Sequence, residues 1–470
     1  MRNPEALGAS TLPNRKSSYQ TLEEEKQARQ DAVEAQLNAW RALLPGLLEK
    51  LARIKDPRRP KSTKHRLTTL MFFGLLLFVF QCASRREANR ELSRPGVLES
   101  LRSVFPEIDS TPHMDTLERL LEEIPAEKIE DVLGQTVAKL LRSKKLQALL
   151  VDKRYVVVVD GTQKFTRTIP FAKEALHRQR GDATTYIVYV LEAVLVGPQG
   201  IVIPLLAEFC ENKAEDKNPE TKQDCELKAF YRLAARLKKL LSRQRLLIVA
   251  DGLYPCGPVM SLCRKNRWDF MIILPASCLV AVWEDALGIR RLEPEQSRAN
   301  RWGDHDQAFW WANDIQYDWR DADGHHHCTP VHVAVCHETW EKNGEACQAT
   351  WAWVSGSPIT KKNVLARCNR AGRRRWGIEE NFLTEKQQGY SYEHTFSEDW
   401  NAMKGWHALM RLAHLLNTLT LHTVALWDTV QVLGLRGALR FLRETLSGNW
   451  LDASRLRALL SKPAQLRLVI

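Results

Sequence analysis

No apolar run in this 470-residue chain is long enough to cross a bilayer. The longest, Leu67 to Phe80, is interrupted by Thr68, Thr69 and Gly74 and falls short of the ~20 residues a membrane helix needs, so a buried helix is expected there. No apolar segment follows the few charges at the N-terminus, which predicts a chain without a secretory leader and an intracellular protein. Ten cysteines are spread without regular pairing, a usage that fits free thiols in a reducing compartment and argues against a disulfide framework. No internal repeat is apparent. One further absence is local: between Lys361 and Gly377 there are many lysines and arginines and not a single acid.

What is present supports a folded chain of several domains. Apolar residues make up 44% of it, enough for a substantial core, and the net charge of +12 favours a polyanionic partner. Residues 1–20 are polar and expected to fray. A helical pattern runs from Thr21 to about Arg53, with a break or kink expected at Pro45. A basic, proline-stiffened linker, Asp56-Pro57-Arg58-Arg59-Pro60-Lys61, leads to the buried helix. Two more helices are expected near 113–125 and 128–149, the first announced by Thr111 and Pro112. Residues 1–150 therefore read as a helical N-terminal region, for scaffolding, DNA binding or dimerisation.

The texture changes at Arg154. Tyr155 to Val159 is a β-branched run ending in Asp160-Gly161-Thr162. Strands over 184–196 and 200–207 are joined by Gly197-Pro198-Gln199-Gly200 as a hairpin. A helix over Cys225–Leu241 precedes the strand Leu246 to Ala250, which ends at Asp251-Gly252. A helix at 257–266 and a strand from Trp268 to Leu274 complete a mixed α/β sheet over 151–279. Residues 280–350, with Trp283, Trp302, Trp310, Trp311, Trp319 and Trp340, read as a β-rich insertion. The main domain resumes over 351–422, and a helical tail occupies 423–470.

The chemistry concentrates in three places. Asp160 and Asp251 each close an apolar strand and precede a glycine, where loops open onto the crevice of a sheet, although Asp-Gly is also a common turn. Arg375, Glu379 and Lys386 recur at i, i+4 and i+11, within about 40° of one another around a helix. Three carboxylates from two strand ends and a facing helix suit two hard divalent cations about 3.5–4 Å apart, Mg²⁺ or Mn²⁺ in its place. Arg375 and Lys386 would grip phosphates, or Arg375 would simply pair with Glu379 within the helix. Glu380 projects about 100° away from that face and is the weaker candidate. Asp224 and Glu226 read as favourable first-turn acids of a helix. A group of His325, His326, His327, Cys328, His332, Cys336 and His337 holds zinc-type ligands without a clean paired spacing, so a surface loop is the expectation there.

These residues resemble the DDE transposases of the IS4-like class. Asp160-Gly161-Thr162 and Ala250-Asp251-Gly252-Leu253-Tyr254 match the contexts of that family's two aspartates. Its signature of Tyr, two residues, Arg, three residues, Glu, six residues and Lys is met by Arg375, Glu379 and Lys386. Gly372 stands where the tyrosine belongs, and Trp376 is a candidate for the missing aromatic surface. Weaker echoes lie at Asp56-Pro57-Arg58-Arg59 and Pro112-His113-Met114-Asp115-Thr116.

The resemblance implies a ribonuclease H-like catalytic core of mixed sheet with a β-strand insertion, followed by C-terminal helices. It implies Asp160, Asp251 and Glu379 as ligands of about two Mg²⁺ or Mn²⁺ ions, and Arg375 and Lys386 as contacts to the transposon end. The partner would be double-stranded DNA, both element ends and target, held by a homodimer near the nucleoid of a prokaryotic cytoplasm. In such enzymes a flipped base can stack on an insertion tryptophan, worth roughly 1–3 kcal/mol, with Trp302, Trp310, Trp311 and Trp319 as candidates. A metal-dependent endonuclease without strand transfer and an inactive DNA-binding relative are the alternatives.

Overall fold

Six helices open the chain, and their ends follow local sequence. In the computed structural model, which describes residues 16–105, 108–212, 223–448, 450 and 452–469, α1 spans Leu22–Ala52. Of the segment expected to fray, residues 1–15 lie outside the described ones. Thr21 caps α1 by accepting the Glu24 N–H, and Glu23, Glu24 and Glu25 fill its first turn, where the helix dipole favours acids. Contrary to expectation, the helix does not end at Pro45. Leu43, Leu44, Leu47 and Leu51 are buried around that turn, and their packing offsets the hydrogen bond that proline removes.

Helix α2 (Leu67–Val79) is the expected buried helix, with only Thr68 and Thr69 less than fully covered. Short helices α3 (Arg85–Leu92) and α4 (Pro95–Val104) follow, then α5 (Met114–Glu123) and α6 (Ala126–Arg142). Among the described residues no helix is long and apolar enough to cross a membrane.

The sheet begins with β1 (Leu150–Val151), β2 (Arg154–Arg167), β3 (Leu176–Arg180), β4 (Ala183–Val196) and β5 (Val202–Cys210). After α7 (Glu226–Leu240) come β6 (Leu246–Ala250), α8 (Gly257–Lys265) and β7 (Asp269–Ile273). Residues 280–350 open with a helix, α9 (Val280–Leu292), before the strands β8 (Ser297–Trp302), β9 (His305–Arg320), β10 (His326–Lys342) and β11 (Glu345–Ser355). Strand order is β3-β4-β2-β6-β7-β11-β10-β9-β8, with β5 on the free side of β4 and β1 on β2. Only β2–β6 and β6–β7 are parallel; the rest are antiparallel. The tryptophan-rich strands thus continue the central sheet through β11, which pairs with β7.

Alternation along β2 separates two cores. Val156 and Val158 pack with Ile378 and Phe382 of α11 (Trp376–Gln387), whereas Val157 and Val159 pack with Ala229 and Phe230 of α7. Between β11 and α11 lie the short α10 (Val364–Cys368) and a 3₁₀ turn, Gly372–Arg375. Helix α12 (Trp400–Leu421) is buried on all sides from Gly405 onward and packs against α1, α2, α5, α6 and β5, joining the N-terminal helices to the sheet. The tail contains α13 (Trp427–Ser447), bent at Gly434 with φ 71°, and α14 (Ala453–Leu460).

Candidate active site

Asp160 lies inside β2 rather than at its end. The strand looked complete at Asp160-Gly161-Thr162, but the antiparallel partner β4 continues the ladder to Arg167, with Asp160 opposite Glu192. The parallel partner β6 does stop. Its register with β2 pairs Val158 with Val249 and ends at Ala250. Continuing that register by two residues sets Asp160 beside Asp251, near enough for the two charges to act on each other. Asp251 is the first residue beyond β6, and its Oδ1 accepts the Leu253 N–H at 2.8 Å in a tight turn.

The even-numbered face of β2 meets α11, and there the third acid arrives. Arg375, buried at the helix start, donates from Nη1 to Asp160 Oδ2 at 3.3 Å and from Nη2 to Glu379 Oε1. One guanidinium therefore links the carboxylate of β2 to that of α11, while its plane lies over the Trp376 ring at 4.5 Å. The intrahelical Arg375–Glu379 pair and the cross-element contact coexist. Burial pushes the Asp160 carboxyl up to about 7; Arg375 opposes this, and the charges of Asp251 and Glu226 add to it. Glu380 is raised by burial and by Glu379 beside it. Lys386 donates to Thr162 Oγ1 and to the Gln163 carbonyl, both at 3.0 Å, so it clasps the segment just after Asp160.

Gly372, where the signature calls for tyrosine, has a physical reason. A Cβ there would lie 2.7 Å from Nε1 of the buried Trp353 on β11, so the indole already fills the space an aromatic side chain would need. Of the candidate stacking tryptophans, Trp310 and Trp311 are buried, and Trp319 stacks on His327 at 4.4 Å. Trp302 is half-buried and lies 5.0 Å from the guanidinium of Arg373, beside the basic turn.

The histidine group does not converge. His332 is buried and accepts the Asp314 N–H, and His337 meets Thr350. At the exposed β9–β10 tip, Asp321, Asp323 and His325 bring their ligand atoms within 4.8 Å of one another. Asp224 forms an ion pair with Arg232 at 2.6 Å, in keeping with a structural role. Glu226 is the first-turn acid of α7 that was expected, and it also accepts Tyr189 Oη–H at 2.6 Å and Tyr254 Oη–H at 2.7 Å.

Behind α11 a buried polar network was not legible in the sequence. Tyr392 donates to Glu192 at 3.0 Å, Arg411 lies 3.3 Å from the same carboxylate, and His414 meets Glu385 at 2.6 Å. Although burial opposes its charge, Arg411, His407 and Tyr392 hold the Glu192 carboxyl below the usual carboxylate range. The His414–Glu385 contact ties α11 to α12, and Glu192 ties β4 to α12 and to the segment that follows α11.

Residues 48–137, from the end of α1 into α6, match a family model described as DDE_Tnp_1-associated. That description links the region to DDE transposases and supports a transposase-related protein. The matched stretch contains none of the five candidate site residues. No curated protein matches the chain.

Proposed function

We propose that the protein is a DDE transposase of the IS4-like class, binding the inverted repeats of an insertion sequence and catalysing DNA cleavage and strand transfer. One observation carries the reading: strand register sets Asp160 beside Asp251, 91 residues on, and Arg375 bridges Asp160 to Glu379, 219 residues on. The sheet order β5-β4-β2-β6-β7, three antiparallel strands followed by two parallel ones, supports a ribonuclease H-like core. The match at residues 48–137 supports the family.

The donor set fits hard divalent cations. Burial resists the charge of Asp160, and the Arg375 guanidinium pairs with both Asp160 and Glu379. Mg²⁺ or Mn²⁺, about two ions, would supply Lewis acidity at the scissile phosphate and an activated water or 3′-hydroxyl. Asp160, Asp251 and Glu379 hold that charge in place. Lys386 orients the strand bearing Asp160, and Arg375 exchanges its carboxylate partners for a DNA phosphate when the end is engaged. Trp302, half-buried beside the basic turn, is the candidate for stacking on a base. The N-terminal helices and the net charge of +12 suit a homodimer that spans two DNA ends.

The test is incubation of the protein and Mg²⁺ with DNA carrying the element's two ends. Joined products are expected from the wild type, and binding without cleavage from Glu379→Ala. Cleavage without joining would replace the reading with an endonuclease, binding alone with an inactive relative, and full activity of Glu379→Ala would overturn the site.

A further inference from the structure

Glu226 has a place in the fold that its position in a first helical turn does not account for. Its two carboxylate oxygens each accept a phenol: Oε2 from Tyr189 of β4 at 2.6 Å and Oε1 from Tyr254 at 2.7 Å. Tyr254 lies three residues after Asp251 in the turn that closes β6, and it is fully buried. Tyr189 pairs across the ladder with Gln163, three residues after Asp160. Burial, with Glu226 as partner, raises both phenols, so both stay protonated and donate. One carboxylate thus bridges the segment bearing Asp251 to the strand that pairs with the segment bearing Asp160.

The side of the sheet decides what kind of role this is. Val157 and Val159 face α7, and Gly161 continues that odd-numbered face. A Cβ on Gly161 would lie 2.6 Å from Glu226 Oε2 and 2.5 Å from the Tyr189 ring, which places the bridge directly against that glycine. Asp160 belongs to the opposite face, with Arg375 and Glu379. Glu226 therefore stands behind the acidic centre, not in it. It also gives a reason for glycine in Asp160-Gly161-Thr162: any side chain would displace the bridge.

We infer that Glu226 is a positioning residue, a two-armed clasp that, through Tyr189 and Tyr254, fixes the spacing of Asp160 and Asp251 for cation binding. The inference rests on the proposed metal-binding reading of those two aspartates. A fixed spacing between hard-ion ligands governs affinity, and groups that orient ligands typically change it by about 10–100-fold.

The experiment is Mn²⁺ binding to the full chain without DNA, read from the free-ion electron paramagnetic resonance signal, with thermal unfolding in parallel. Asp160→Asn should lower affinity strongly. Glu226→Ala should lower it by about tenfold or more. Glu226→Gln can still accept one phenol and donate to the other oxygen, so it should stay within about threefold of the wild type. Should Glu226→Ala not fold, the double variant Tyr189→Phe, Tyr254→Phe removes the two arms and should give the same loss. Unchanged binding in Asp160→Asn would overturn the metal-site reading and the clasp with it. A loss in Asp160→Asn with none in Glu226→Ala or the phenylalanine pair would overturn the clasp alone. Glu226→Gln as weak as Glu226→Ala would make Glu226 a ligand instead of a clasp.

Discussion

Asp160-Gly161 and Asp251-Gly252 share one local sequence, an apolar strand followed by an acid and a glycine, yet they occupy different environments. Asp160 sits within a continuing strand, bound to Arg375, and its carboxyl is pushed up by burial to about 7. Asp251 lies past the end of its strand in a turn closed on the Leu253 amide. The glycines differ as well: Gly161 is backed by the Glu226–Tyr189 bridge, Gly252 by the ring of Pro275, whose Cγ lies 2.5 Å from where a Cβ would be. Neighbouring strands in register can thus present acids of the same local sequence in different surroundings, one paired with a buried guanidinium and the other with a backbone amide.

The sharpest way to break this comparison is to remove each acid. Asp160→Ala and Asp251→Ala should both drop cleavage of end-bearing DNA below detection while gel-shift binding survives; a residually active Asp251→Ala would make the two sites unequal in function too. Gly161→Ala comes next. Its new methyl must displace Tyr189 and Glu226, and overpacking of this kind costs about 1–3 kcal/mol, measurable as a lower denaturation midpoint.

Asp160→Asn probes the charge itself. With its folded pKa raised, Asp160 costs nothing below the ordinary carboxylate value of 3.8, and its cost grows as pH rises and is complete above about 7. In metal-free buffer the asparagine variant should match the wild type near pH 4 and exceed it by on the order of 1–2 kcal/mol at pH 8. The smallest effect is expected from Arg375→Ala. Losing the resident cation should tighten Mn²⁺ binding by about three- to tenfold, roughly 0.7–1.4 kcal/mol, while cleavage falls. Weaker Mn²⁺ binding in that variant would mean that Arg375 organises the acids instead of competing for them.

What the sequence revealed follows from how local each signal is. Glu379 was legible because Arg375, Glu379 and Lys386 share one helix face, and Asp160 because a β-branched run ends at it. That β2 runs on past Asp160 was not, since Gly161-Thr162 looks like a turn until β4 supplies the partner. Glu226 was hidden for a related reason. Its two phenols come from 37 residues before and 28 after, and a first-turn acid already had a sufficient local explanation. The Trp353 indole that accounts for Gly372 belongs to a strand whose neighbours only the sheet defines. The buried network of Glu192, Tyr392, Arg411, Glu385 and His414 draws on β4, α11, α12 and the loop between the two helices, and the polar residues of each would read as surface by themselves.

The central position of α12 has a cost during synthesis. Helix α2, apolar on every side, packs against a helix that begins at Trp400. Helices α1, α3 and α5 also pack on α2, but roughly 320 residues must be translated after it before α12 exists, which at about 5–20 residues per second leaves that face uncovered for some 15–65 s. The nascent N-terminal region is thus a natural client for a chaperone that shields apolar helices, although every strand of the sheet is already made once Ser355 has been added.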